Sequence, residues 1–173
     1  MKRSEFEHTI RAAGAILGVN EVLVIGSQAI HASIDCEIEV AQRSIETDIS
    51  ALEDEDGSKA DLIDGSIGEL STFQETYGYY AQGVTPKTAV LPRGWRDRLV
   101  PFCTPKTQGV TALCLEPHDL WISKAIAGRS KDLEFCRALL TMEFVNSKTL
   151  RTRLKQVREL KPQTRAFVAK LIP

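Results

Sequence analysis

The sequence predicts an α/β (α+β) protein, a small mixed sheet flanked by helices and followed by a C-terminal helical bundle. Three observations predict it. Apolar runs of strand length alternate with helical periods up to about residue 116. A Gly-Ser turn, Gly26-Ser27, joins one such run to a short helical pattern and then to a strand of alternating acidic and apolar residues. From Pro117 the period becomes helical and stays so. The 173 residues therefore divide into an α/β domain, 1–116, and a helical region, 117–173, expected to pack on it. With a formal net charge of −1, no global basic field draws the chain to nucleic acid, and such contact would need a local patch. Cys36, Cys103, Cys114 and Cys136 lack CxxC spacing and read as buried, reduced thiols. MKRSEFEHTIR has no apolar leader core, and no apolar run is long enough to span a membrane. Together these features predict a cytoplasmic protein without a membrane partner.

Taken in order, Phe6, Ile10, Ala13 and Leu17 fall on one face of a helix over 3–17, which Gly18 and Asn20 end. Val22–Ile25 is apolar on both faces, as a central strand requires. A short helix over 27–34 and a polar connection over 35–43 lead to the acidic strand, 44–52. There Ile45, Thr47, Ile49 and Ala51 share one face, and Ser44, Glu46, Asp48 and Ser50 the other. EDEDGSK (53–59) reads as a solvated loop, since EF-hand spacing is absent. Residues 60–73 favour helix, broken at Gly65 and Gly68. Strands are expected over 77–84, 95–102 and 110–115, the last two joined by CTPKTQG. Pro117 opens a buried helix that Gly128 ends; Ser130 caps the next, 131–142; further helices cover 147–158 and 162–171.

Glu46 and Asp48 carry the sharpest chemical signal. Two residues apart on one strand, they point the same way about 6.6 Å apart, a spacing at which carboxylates share a hard cation. Gly26-Ser27 opens a helix directly after a strand, where backbone N–H groups favour phosphate and a glycine permits close approach; the plain alternative is a helix cap. Lys124 is the only long cation on the buried helix and either snorkels outward or enters a cleft as a phosphate partner. Asp132 projects toward the apolar face of its helix. It binds either first-turn N–H groups or a ligand, or holds Lys124. Tyr77, Tyr79 and Tyr80 either stack on a base or pack the sheet. Arg151, Arg153, Lys155 and Arg158 form a basic stripe, a solvated face or an RNA contact. The three histidines, His8, His31 and His118, share no metal-ligand spacing.

Gly26-Ser27 with Glu46-x-Asp48 resembles the nucleotidyltransferase superfamily of the DNA polymerase beta type, which pairs a strand-end GS motif with a DxD strand. DLWISKAIAGRSKDLEF resembles the helical tail of the AbiEii-like branch, toxins of abortive-infection toxin–antitoxin systems. IDGSIGELSTFQETYGYYAQGV and LEPHDLWISKAIAGR are similar to an uncharacterised bacterial family of nucleotidyltransferase-like proteins, over about residues 20–140. The resemblance implies that Glu46 and Asp48 bind Mg²⁺ (or Mn²⁺) carrying an NTP. It further implies that Gly26, Ser27, Lys124, Lys131 and Asp132 hold the nucleotide, with Lys124 in the cleft. A third carboxylate assists an acceptor hydroxyl, and nucleoside monophosphate passes to RNA, such as a tRNA end, or to a protein. An antitoxin is the implied partner. The chain departs from the pattern in having Glu46 for the usual Asp, a long span from Ser27 to Glu46, and no evident third acid. Asp64, Glu69 and Asp97 are the candidates. Arg129 and Lys131 read equally as a surface patch. A non-catalytic nucleotide- or partner-binding member of the same fold is the alternative reading.

Overall fold

The computed structural model describes residues 1–35 and 38–173; Cys36 and Glu37, within the expected polar connection, lie outside them. The chain forms two compact units, Met1–Thr88 with Val100–Leu115, and Ala89–Leu99 with Glu116–Pro173. Among the described residues no helix is long and apolar enough to cross a membrane.

The first unit is built on a five-stranded mixed sheet. Its strands are β1 (Glu21–Val24), β2 (Glu46–Ser50), β3 (Tyr80–Gly83), β4 (Val100–Phe102) and β5 (Thr111–Cys114), in the order β3-β2-β1-β5-β4. β1 runs antiparallel to β2 and parallel to β5; β2 is parallel to β3, and β4 antiparallel to β5. The central position of β1 follows from its apolar run: Val22, Leu23 and Val24 are fully buried. Helix α1 (Arg3–Leu17) places Phe6, Ile10 and Ala13 in the core, as its period requires. Its C-cap, Gly18, takes φ 64°, a left-handed conformation that glycine adopts at no steric cost. Each large apolar side chain so buried is worth about 1.5–3 kcal/mol.

A four-residue helix α2 (Glu39–Gln42) occupies part of the segment expected to be a polar connection. Helix α3 (Ser58–Ile67) runs through Gly65 and stops at Gly68, so only the second glycine breaks it. Its first turn is capped from the EDEDGSK loop, where Asp54 is buried and accepts from the N–H groups of Lys59 (3.2 Å) and Ala60 (2.9 Å). That acid is structural rather than solvated. Helix α4 (Thr72–Tyr77) overlaps the strand expected over 77–84 only at Tyr77, and β3 begins three residues later at Tyr80. Ser71 caps it, and Gly78 ends it at φ 78° before β3 begins. A 3-10 helix over Trp95–Arg98 takes the first half of the strand expected over 95–102. In the acidic strand the two faces are less distinct than alternation implies. Ile45 is 47% exposed just before β2, and Ser50 is fully buried, its hydroxyl donating to Ala51 O. Cys114 and Cys136 are buried, but Cys103 is exposed.

The second unit holds α5 (Pro117–Ala127), α6 (Ser130–Thr141), α7 (Ser147–Gln156) and α8 (Pro162–Leu171), with the 89–99 segment. Leu120, Trp121 and Ile122 are fully buried, and the Trp121 indole donates to Cys136 O at 2.9 Å. Arg129, not Ser130, occupies the N-cap of α6, with no side-chain cap. The unit is tied by a buried carboxylate. Asp119 is fully buried; Arg98 Nε and Nη2 donate to its two oxygens at 2.8 and 3.1 Å, and Arg153 Nε lies 3.0 Å from Oδ1. Burial raises the Asp119 pKa against the opposing pull of the two guanidinium groups.

Two outcomes follow from this packing. Asp119→Ala strands two half-buried guanidinium groups and should cost about 3–5 kcal/mol, read from urea unfolding. Gly83 faces α3 so closely that a Cβ there would lie 2.0 Å from Ala60 O. Gly83→Ala should therefore destabilise by about 1–3 kcal/mol. Gly65→Ala in the same helix meets nothing within 4 Å and should stabilise by about 0.5–1 kcal/mol.

Candidate functional site

The Gly-Ser turn and the acidic strand meet at one end of the sheet. The β1–β2 pairing continues past β1, with Ile25 N–H donating to Asp48 O at 3.2 Å. This places Gly26 beside the Asp48 side chain, so a Cβ on residue 26 would lie 1.7 Å from Oδ2 and 2.6 Å from Cγ. Gly26 is extended (φ −90°, ψ −172°), so its need for glycine is steric: no other residue leaves room for the carboxylate. Beyond it lies a 3-10 helix, Ser27–Ala32, of only six residues. That is a correction to the expected helix, and it offers little macrodipole for phosphate. The turn's contribution is its closeness to Asp48 and the half-buried Ser27. Gln28 anchors the turn, fully buried, with its amide donating to Ala41 O at 2.9 Å and its Oε1 3.1 Å from His31 Nε2. His31 is half-buried. Burial lowers its pKa to about 4, so the ring is neutral at physiological pH.

Glu46 and Asp48 are both half-buried on β2, opposite Tyr80 and Gln82 of β3. Tyr80, buried at 8% exposure, donates its hydroxyl to Glu46 Oε2 at 3.2 Å. Its pKa is pushed up to about 12 by burial, then by the charges of Glu46, Glu69 and Asp48. Tyr80 therefore stays protonated and serves as a donor that fixes Glu46. Asp64 is engaged elsewhere: its Oδ1 accepts from Gly83 N–H at 2.6 Å and ties α3 to β3. Asp97 is exposed in the 3-10 helix of the second unit. Among the described residues, no three His, Cys, Asp or Glu side chains form a group able to hold a metal ion. The donor set at β2 is thus a pair of carboxylates. A pair fits one Mg²⁺, which keeps several waters and takes one or two carboxylates plus phosphate oxygens.

The remaining candidates lie in the second unit. Lys124 Nζ is 3.4 Å from Asp132 Oδ1, and Arg129 Nε is 2.6 Å from Asp132 Oδ2. Asp132 is 2% exposed, and although burial opposes it, Arg129 and Lys124 hold its pKa below the usual carboxylate range. The structure therefore brings Asp132 to Lys124 and Arg129 within one unit, and Lys131 is exposed beside them. His118 is likewise internal, 2.5 Å from Glu116 Oε1 and 3.1 Å from Asn146 N through its two ring nitrogens. The tyrosines divide. Tyr79 packs with its hydroxyl 2.7 Å from His8 Nδ1, whereas Tyr77 is half exposed at the edge of a cluster with His8 and Phe73. A pocket of about 660 Å³ lined by Asn20, Glu21, Glu53 and Lys59 lies at the other end of β1 and β2 from the carboxylates. Sequence reasoning missed Tyr80 as the partner of Glu46, because the register that pairs them is set by tertiary packing. It also missed Asp119, whose place in a buried-helix motif was its only signal.

No curated protein and no solved structure matches the chain. A family model described as nucleotidyltransferase of unknown function (DUF6036) matches residues 7–167. That span takes in the Gly-Ser turn, the acidic strand and both units, and the chain belongs to this nucleotidyltransferase family.

Proposed function

We propose that the chain binds an NTP with Mg²⁺ at Gly26, Ser27, Glu46 and Asp48 and transfers a nucleoside monophosphate to an acceptor hydroxyl of RNA or protein, with pyrophosphate leaving. The observation that carries this reading is the fit of Asp48 against Gly26, where a Cβ would overlap the carboxylate. A glycine there lets the Asp48 carboxylate lie against the backbone of the turn, which keeps the strand acid and the turn that would hold phosphate side by side. Family membership supports a nucleotide as the substrate.

Each group has a definite task. Glu46 and Asp48 would hold the ion, with Tyr80 fixing the orientation of Glu46 through its hydroxyl. The bound ion would supply charge neutralisation at the phosphates. Ser27 and the backbone of the turn would hold phosphate oxygens. Tyr80, protonated up to about pH 12, is not the base. The acceptor's proton would go to Glu69, since Asp64 is already bound to Gly83 N–H. A DNA polymerase beta-type ancestry, the AbiEii-like branch and a toxin–antitoxin setting with an antitoxin partner belong to this proposal as the context in which the transfer would act. A second reading, a non-catalytic member that binds a nucleotide or partner, is favoured by one observation: no third acid joins Glu46 and Asp48 in a metal-holding group among the described residues.

Thermal melts and label transfer separate these readings. Mg²⁺ with NTP should raise the wild-type Tm, by an amount equivalent to about 2.7 kcal/mol at a hundredfold excess over Kd. Glu46→Gln/Asp48→Asn should be at least as stable without ligand, since it removes like-charge repulsion, and should gain nothing from the metal. Equal shifts in both proteins would remove the site. Gly26→Ala should displace the Asp48 carboxylate and lose the ligand-induced shift, read against its own ligand-free melt. Incubation with each radiolabelled NTP, Mg²⁺ and total tRNA should label an acceptor; a melting shift without transfer would select the non-catalytic reading. Glu69→Gln should then abolish transfer while leaving the melting shift intact.

A further inference from the structure

The net charge of −1 conceals a division. The first unit carries seven Lys and Arg against sixteen Asp and Glu, a formal charge of −9. The second carries fifteen against seven, a formal charge of +8. A compact unit of that charge attracts polyanions by itself. The expectation that nucleic-acid contact must rest on one basic stripe is too narrow. The stripe itself is also split, for Arg153 turns inward to Asp119 and Arg151 donates to Pro173 O at 2.6 Å.

Within this unit a pocket of about 460 Å³ opens between the 89–99 segment and the end of α7, with Val90, Arg93, Trp95, Gln156, Arg158 and Glu159 in its lining. Its volume falls in the range of small-molecule sites. Trp95 is half-buried and carries the Arg96 guanidinium at 4.8 Å from its ring centroid. The Gln156 side-chain oxygen is buried and, among the described residues, meets no hydrogen-bond donor, an arrangement that costs free energy unless a donor is supplied from outside. Both walls are held in place. Arg93 N–H donates to Gln156 O at 3.1 Å, while Arg98 from one wall and Arg153 from the other reach the same buried Asp119. The site is therefore preformed.

We propose that the second unit binds single-stranded nucleic acid and that this pocket receives one base bearing an amino group. Trp95 stacks on the base, as aromatic platforms do in sequence-tolerant single-strand binding. The Gln156 oxygen and the Glu159 carboxylate are both acceptors, which suits an exocyclic amino group and disfavours a phosphate inside the pocket. The phosphates run instead past the exposed Arg93, Lys155 and Arg158. The inference does not depend on the nucleotide reading of the acidic strand.

Fluorescence anisotropy with labelled oligomers of about eight nucleotides, without Mg²⁺ or NTP, tests it. Oligo(A) and oligo(C) should bind more tightly than oligo(U), with log K falling linearly as log salt rises. Trp95→Ala should weaken binding roughly 5- to 150-fold, with Trp95→Phe close to wild type. Gln156→Leu should erase the preference over oligo(U), and Gln156→Glu should keep it. Glu46→Gln/Asp48→Asn should bind as wild type does, so failure of the NTP site leaves this result standing. RNA and DNA arms of each sequence tell which strand is preferred. Three results would overturn the proposal: no binding at low salt, equal binding by folded Trp95→Ala, or equal affinity for polyglutamate, which would mark an acidic protein as the partner.

Discussion

The close approach of Gly26 to Asp48 is the constraint on which the first unit's chemistry depends. It arises from backbone pairing: β1 and β2 are antiparallel, and the ladder extends to the Ile25–Asp48 hydrogen bond. Once that register is set, residue 26 has no room for a Cβ, and the carboxylate of Asp48 is held against bare backbone. On its other side β2 pairs with β3, which brings Tyr80 opposite Glu46 and lets the hydroxyl bond the carboxylate. The acidic strand is thus fixed from both neighbours, and a carboxylate pair fixed before a cation arrives loses little conformational freedom on binding one.

Charge is divided between the units in a way that suits two different anionic ligands. The first unit, at −9, repels a free triphosphate, so on the proposed reading a nucleotide would enter there only with a divalent ion. The second, at +8, needs no such ion to attract a polyanion. Three of its seven acids are consumed internally: Asp119 by Arg98 and Arg153, Asp132 by Lys124 and Arg129, Glu116 by His118. Burying those acids with their partners leaves most of the remaining basic side chains at the surface.

Local pattern made much of this legible in the sequence. The bounds of α1 and α5 follow from apolar period, Gly18, Pro117 and Gly128, and the acidic strand from its alternation. Local pattern failed where two elements share one apolar run. In TFQETYGYY the aromatic residues suit a strand, yet the Ser71 cap and the left-handed Gly78 divide the run into a helix and a strand. The Trp95–Phe102 run divides in the same way, into a 3-10 helix and β4. Long-range pairing was invisible. Nothing local shows that Arg98 belongs with Asp119, and that pairing is one reason the 89–99 segment groups with the C-terminal helices. Lys124 shows the opposite limit: its partner Asp132 was readable from the helical face, but the structure adds Arg129 to the same carboxylate.

The unequal fates of the three further acids bear on mechanism. Asp64 spends its oxygen on Gly83 N–H, the same contact that lets α3 lie against β3. Moving it toward an ion would release a strand donor and open that interface. Asp97 sits among Arg96 and Arg98 on a 3-10 turn of the other unit. Glu69 is exposed next to the left-handed Leu70, and its charge contributes to the raised Tyr80 pKa together with the strand pair. An exposed glutamate at the end of α3 has rotamers available that a capped aspartate lacks. On the proposed reading, that freedom lets the Glu69 carboxylate turn toward an acceptor hydroxyl rather than hold the ion, whereas Asp64 would have to give up its bond to Gly83 N–H to do the same.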